Sequence, residues 1–152
     1  MHIWINNEPN YATNAIYLID DSNETAAGKI FDKNDPTTWK HSLAELKARG
    51  VNTIAPASWL LVTSDGNGKL LPSTYALQAK ANGLDIVTWS LERSGPLKNG
   101  GGWYYSGLGD AINNDGDIMN VIDVLAQDVG VKGIFSDWPA TISYYANCKG
   151  LK

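Results

Sequence analysis

The chain has 152 residues and a mass of 16.5 kDa, with 43% hydrophobic and 18% charged residues, enough apolar material for one domain with a buried core. A net charge of −4 and an isoelectric point near 5.0 argue against nucleic acid or an anionic membrane as partner, since both reward clustered lysine and arginine. The single cysteine, Cys148, excludes an intramolecular disulfide and a zinc site of paired cysteines. No apolar run approaches the roughly 20 residues of a membrane helix. The first residues, Met-His-Ile-Trp-Ile-Asn-Asn, lack the basic start and apolar core of a signal peptide.

In chain order, residues 15–19 (Ala-Ile-Tyr-Leu-Ile) read as a first buried strand ending at Asp20-Asp21. Asp35-Pro36 then supplies an N-cap and a proline for a first helical turn. Trp39, Leu43 and Leu46 follow on one face, predicting a helix that stops at Gly50. A β-type run follows that glycine at once, and the same grammar recurs at Gly83-Leu84-Asp85-Ile86-Val87 and Gly130-Val131-Lys132-Gly133-Ile134. Helices are predicted from Pro72 or Ser73 to Gly83, from Asp117 to Gly130, and after Asp137, which stands where an N-cap belongs with Pro139 in the first turn. Strands alternating with helices predict an α/β fold with three or four parallel strands.

Two long insertions break this alternation, at residues 58–71 and 90–114. Both follow the carboxyl end of a strand, where α/β folds place their ligands. The second is rich in glycine and carries Trp103, Tyr104 and Tyr105, which marks it as an ordered active-site loop rather than a linker.

Phosphate-loop patterns are absent, and Asn113-Asn114-Asp115-Gly116-Asp117 fails the register of a calcium-binding loop, reading instead as a turn that ends in an aspartate N-cap. His41 lies inside a predicted helix and His2 near the end of the chain, so neither is a catalytic candidate. Asn23-Glu24-Thr25 fits a glycosylation sequon. The acidic residues that close strands, Asp20, Asp21, Glu92 and Asp137, converge on one mouth in a parallel sheet and could take a proton, hold a polyol or bind a metal there. Glu92 has no capping role to explain it and is the strongest of these.

The last third of the chain resembles the carboxyl-terminal part of the glycerophosphodiester phosphodiesterase family. The resemblance rests on Gly83-Leu84-Asp85-Ile86-Val87-Thr88-Trp89-Ser90-Leu91 and on Gly130-Val131-Lys132-Gly133-Ile134-Phe135-Ser136-Asp137-Trp138-Pro139. Arg93-Ser94-Gly95-Pro96-Leu97 with the triple glycine, and the ending Tyr144-Tyr145-Ala146-Asn147-Cys148, look like the larger exported members. It implies residues 1–152 as the carboxyl-terminal half of a TIM barrel that hydrolyses glycerophosphodiesters to glycerol 3-phosphate and an alcohol. It also implies a divalent cation, calcium or magnesium, whose ligands belong mostly to the other half. Carried over residue by residue, it makes Trp89 a wall of the site and Glu92 a contact to glycerol or cation. Asp137 becomes a substrate-side or supporting residue, and Trp103 and Tyr104, with Tyr105, a rim.

The family's His-Arg-Gly, Glu-x-Asp, His-Asp and Glu-x-Lys motifs are absent, so no catalytic histidine or metal ligand is assigned and the isolated chain is expected to be inactive. Two other readings stand beside this one. The first is a self-standing half-barrel that forms a homodimer and binds polyols or phosphodiesters without catalysis. The second is a small hydrolase with Asp20, Asp21 and Glu92 around a metal. The exported look of the relatives implies a parent protein that is secreted or periplasmic.

Overall fold

Four short parallel strands organise the chain in the computed structural model, which describes residues 2–20, 25–93 and 95–151. In chain order the strands are β1 (Ile16–Leu18), β2 (Thr53–Ala55), β3 (Val62–Ser64), β4 (Leu70–Pro72), β5 (Asp85–Thr88) and β6 (Gly133–Ile134). The main sheet runs β1-β2-β5-β6 with every pair parallel, in register at Ile16 with Thr53, Thr53 with Asp85 and Val87 with Gly133. Spatial order therefore follows chain order, with no reversal of the kind that marks a doubly wound sheet. The fold is α/β with a four-stranded parallel sheet, as the alternation of runs predicts.

The pleat assigns the two faces different roles. Tyr17, Ile54 and Ile86 share one face and pack into a single core with Leu43, Leu46, Ala76, Ala79, Val121 and Leu125 from the crossover helices. On the opposite face of β1, Ile16 and Leu18 are 46% and 60% exposed. Parallel sheets are ordinarily covered on both faces, so this open apolar face is a distinctive property of the structure.

The helices are α1 (His2–Asn7), α2 (Leu43–Ala48), α3 (Ser58–Leu61), α4 (Thr74–Ala81), α5 (Asp117–Asp123) and α6 (Pro139–Lys149). The glycine stops are where the pattern puts them: Gly50, Gly83 and Gly130 all have positive φ. Winding between α5 and Gly130 is wider than the α form, with residues Val124–Val129 as a π-helix.

Three expectations need correction. The helix predicted from Pro36 to Gly50 is two pieces, a 3-10 turn Pro36–Thr38 capped by Asp35 and the separate helix α2. Ser42 restarts the winding through a reciprocal capping box with Glu45, which frees Trp39 from the helix. Trp39 instead stands buried against Tyr75 (4.7 Å between ring centroids) and donates its indole N–H to the Asp32 carbonyl at 2.7 Å. The insertion at residues 58–71 is not a loop: it holds α3 and the antiparallel hairpin β3–β4, with Leu60, Leu61 and Val62 in the core. Finally, Asp117 does not cap α5 from in front of it. It is the first helical residue, and its Oδ2 reaches back to accept the backbone N–H groups of Asn113 (2.8 Å) and Asn114 (3.0 Å). Burial acts to raise that carboxyl, and these amides outweigh it and hold it below the usual range.

The segment 90–114 folds over the carboxyl end of β5 as two 3-10 turns, Leu97–Asn99 and Trp103–Tyr105. Its glycines are there for close approach as well as for turning. A Cβ on Gly101 would stand 2.6 Å from the Tyr105 ring and 2.9 Å from Leu97, at a φ of +72°. Gly101→Ala is accordingly expected to cost about 2–3 kcal/mol, through overpacking and backbone strain together. Denaturant unfolding checks this, and a loss under about 0.5 kcal/mol would contradict the close approach.

Candidate functional site

The loops that leave the carboxyl ends of β5 and β6 enclose a cleft of about 360 Å³ lined by Trp89, Ser90, Arg93, Tyr104, Phe135, Ser136 and Asp137. The chain is led there by a dense set of bonds at the end of β5. Thr88 donates its buried hydroxyl to the Pro56 carbonyl at 2.8 Å, and Ser58 N donates to the Trp89 carbonyl at 2.7 Å. The Trp89 indole N–H donates to the Ala55 carbonyl at 2.8 Å, which fixes the ring as one wall. The Trp89–Ser90 peptide bond is cis.

Glu92 stands behind this lining. Its carboxylate accepts the Ser90 hydroxyl at 3.3 Å through Oε2 and the Ser136 hydroxyl through Oε1. Ser136 also accepts the Trp138 backbone N–H at 3.1 Å, so one hydroxyl joins the carboxylate to the turn after β6. A carboxylate held by two hydroxyls at a cleft can accept a proton or a hydrogen bond from a ligand hydroxyl that replaces either of them.

Asp137 is not a helix cap. The residue before α6 is Trp138, with no side-chain cap, and Asp137 instead pairs with Arg93, whose Nη2 lies 3.2 Å from Oδ1 while Nε meets Oδ2. The pair bridges the loops after β5 and β6 in a bidentate geometry, exposed to water and of little worth for stability. The Arg93 guanidinium holds the Asp137 carboxyl below its usual range. The pair therefore survives acidification until pH falls through that lowered value. A carbon-13 NMR titration is expected to give Asp137 a midpoint below about 3.9, returning toward it in Arg93→Gln. An unchanged midpoint in that variant would place the pair apart in solution.

Trp103 and Tyr104 stand beside Trp89 at the cleft, and Tyr105 does not. Trp103, 46% exposed, lies 5.9 Å from Trp89 in a stacked arrangement and 4.8 Å from Tyr104 edge-on. Tyr105 points inward, fully buried, and donates its hydroxyl to the Leu91 carbonyl at 2.8 Å. Burial, with the Glu92 charge adding to it, raises that phenol far above its ordinary value. Of the residues singled out from sequence, Trp89, Tyr104 and Asp137 line the cleft, Glu92 bonds the lining residues Ser90 and Ser136, and Trp103 stacks on Trp89 beside it. Asp20 lies half-buried beyond β1 with interactions of its own, and Asp21 and the sequon at Asn23 lie outside the described residues. His41 sits 4.0 Å from Glu45 on α2, away from the cleft lining. Among the described residues, no group of three histidine, cysteine, aspartate or glutamate side chains is placed to hold a metal ion.

Sequence reading passed over Arg93, Ser90 and Ser136 as participants, and it missed Lys33 and Trp59 altogether. Position at a strand's carboxyl end could have flagged the first three. Lys33 carries no local signal, because its partners are 26 and 73 residues away. It is only 7% exposed, and its ammonium donates to the carbonyls of Trp59 (2.9 Å) and Ser106 (3.1 Å). Burial pushes it down from 10.5 to about 8, against the opposing charge of Asp32. Between those two values the unfolded chain binds a proton that the folded chain lacks, so stability rises with pH through that window. From about pH 7.5 to about pH 9.5 the Lys33 contribution should rise on the order of 1–2 kcal/mol, and Lys33→Met should lack that rise in denaturant midpoints. The same slope in both proteins would refute the burial of the charge.

No protein-family model matches the chain. A curated protein of Arthroderma benhamiae described as "Extracellular protein" is 45% identical over 154 aligned residues, covering 99% of this chain. The chain spans 60% of that relative's length. No helix among the described residues is long and apolar enough to cross a membrane.

Proposed function

We propose that the chain is the carboxyl-terminal part of a glycerophosphodiester phosphodiesterase, its sheet forming consecutive strands of a TIM barrel. The observation that carries this reading is the convergence of two separate motifs. The Trp89–Glu92 segment after β5 and the Ser136–Asp137 segment after β6 meet in one cleft at the carboxyl ends of neighbouring parallel strands, where barrels keep their chemistry. Strand order that follows chain order, and a sheet face left open at Ile16 and Leu18, also support a barrel whose remaining strands lie elsewhere. The greater length of the relative supports the same idea, and its description supports an exported parent protein.

In this reading Trp89 and Tyr104 form the wall against which the glycerol carbons lie, and Glu92 accepts a hydrogen bond from a glycerol hydroxyl. Arg93, already steered by Asp137, offers its guanidinium to a phosphate oxygen. Trp103 shields the cleft from water. A divalent cation would supply charge to the phosphoryl group and activate a nucleophile. Among the described residues no group of three carboxylate, histidine or cysteine side chains is placed to hold it, and no step here is routed through it.

The test is to read the coding frame upstream of Met1, express the extended protein, and assay release of glycerol 3-phosphate from glycerophosphodiesters with calcium or magnesium. The extended protein should hydrolyse them and the 152-residue chain should not, while Glu92→Gln in the extended protein should lower kcat/KM at least about tenfold. An upstream frame without His-Arg-Gly and Glu-x-Asp motifs, or an extended protein that cleaves nothing, would overturn the reading. In that case the open edges of β1 and β6 favour the dimerising half-barrel, which sedimentation at several concentrations would register as a reversible dimer.

A further inference from the structure

Lys33 lies in the chain between β1 and the Pro36–Thr38 turn, and it is only 7% exposed. Its carbonyl accepts the Tyr75 amide of α4 at 3.0 Å, which ties its backbone to that helix. Its ammonium joins two elements that are distant in sequence. It donates to the Trp59 carbonyl on α3 at 2.9 Å and to the Ser106 carbonyl, just after the Trp103–Tyr105 turn, at 3.1 Å. The turn lies close upon it: Gly107 has a φ of +76°, and a Cβ there would stand 3.4 Å from the ammonium nitrogen.

From these two carbonyls the contacts run on to the cleft. Ser106 gives both its amide (3.1 Å) and its hydroxyl (2.7 Å) to the Trp103 carbonyl, so whatever fixes Ser106 also fixes the backbone of Trp103. The Trp59 ring meets the Trp103 ring edge-on at 6.0 Å, and Trp103 in turn stacks on Trp89, the wall of the cleft, at 5.9 Å. Tyr105 and Ser58 hold the inner side of the same turn, through the Leu91 and Tyr104 carbonyls. Lys33 holds its outer end. Burial costs the amine free energy, and what it supplies in return is a hydrogen bond to each of two segments that are not strand partners.

We propose that Lys33 is a positioning residue for the cleft: by tying the Ser106 carbonyl to α3 it holds the Trp103 ring against Trp59 and Trp89, so that a residue of the loop after β1 sets the aromatic wall built on β5. The positioning does not depend on what the cleft binds, whereas its effect on turnover rests on the phosphodiesterase reading. Loss of the Lys33 proton removes the charge that strengthens both hydrogen bonds and the attraction to the Trp59 ring, 5.6 Å away, so it should be felt at Trp103. The charged and titratable groups on the elements packed around the ammonium are Asp32 and Asp35 on its own segment, Tyr104 and Tyr105 on the turn and Tyr75 on α4; α3 carries none. The Thr37 amide holds Asp35 below its usual range and burial raises Tyr105, so neither titrates where Lys33 does.

The test labels the 152-residue chain with 5-fluorotryptophan and follows Trp103 by fluorine NMR, its signal assigned through Trp103→Phe. In the wild-type chain that signal should move with pH about a midpoint near 8, the value of Lys33. In Lys33→Met, checked for native-like circular dichroism and cooperative unfolding, the movement should vanish. Broadening of the same signal by a soluble nitroxide should rise at least about 1.5-fold in that variant, as the ring comes away from Trp89. In the extended protein Lys33→Met should raise KM at least about threefold with a smaller change in kcat, since Trp103 shapes binding and touches no reacting atom. A Trp103 signal that ignores pH near 8, or that is the same in Lys33→Met as in wild type, would overturn the proposal. Should the variant fail to fold, the wild-type titration decides it. An extended protein that hydrolyses nothing sinks the phosphodiesterase reading alone, and an active one whose KM is unmoved by Lys33→Met sinks this role alone.

Discussion

The buried hydrogen bond from the Tyr105 hydroxyl to the Leu91 carbonyl is the constraint on which the site depends. It turns the chain that leaves β5 back upon itself, so that the loop closes over the strand end instead of extending into water. Once Tyr105 is seated, Gly101 is forced against its ring and Ser58 is brought within 3.3 Å of the Tyr104 carbonyl. Trp103 and Tyr104 are then left facing outward beside Trp89. A phenol suits this role because its ring fills a core position while its hydroxyl satisfies a carbonyl that burial would otherwise orphan.

Electrostatics divide the mouth into two regimes. Around Glu92, Arg93 and Asp137 the charges are paired or hydrogen-bonded across neighbouring loops and remain close to solvent, so their geometry matters more than their energy. Around Lys33 the charge is buried, held by backbone carbonyls, by the Trp59 ring 5.6 Å away and by the charge of Asp32. Carbonyl dipoles and an aromatic face offset part of the desolvation, and the lowered proton affinity of the amine measures what they leave uncompensated.

The sequence made the regular part of the fold legible because the signals there are local. A glycine after a helix with a β-run behind it needs no tertiary information, and Gly50, Gly83 and Gly130 all behave accordingly. The stretch from Pro36 to Gly50 misleads for an equally local reason: spacing alone links Trp39 to Leu43, while the Ser42–Glu45 box that separates them is a stronger signal than periodicity. In the candidate site, Glu92 and Asp137 could be found from their positions after strand ends, Trp89 from the resemblance, and Tyr104 from its place in the glycine-rich aromatic insertion. The pairing of Asp137 with Arg93 could not, since it joins residues 44 apart that only the sheet brings together. Tyr105 shows the same limit, for nothing in three consecutive aromatics says which one turns inward.

The order of the main sheet has a kinetic consequence. Each strand pairs with the one that precedes it in the sheet and in the chain, so a polypeptide emerging from the ribosome or a translocon never holds an unpaired interior strand waiting for a partner yet to be made. Every new βα unit docks on a finished edge, and the loop it must close is only a few tens of residues long. Assembly can thus proceed as a zipper from β1 toward β6, with each new strand added at the same growing edge.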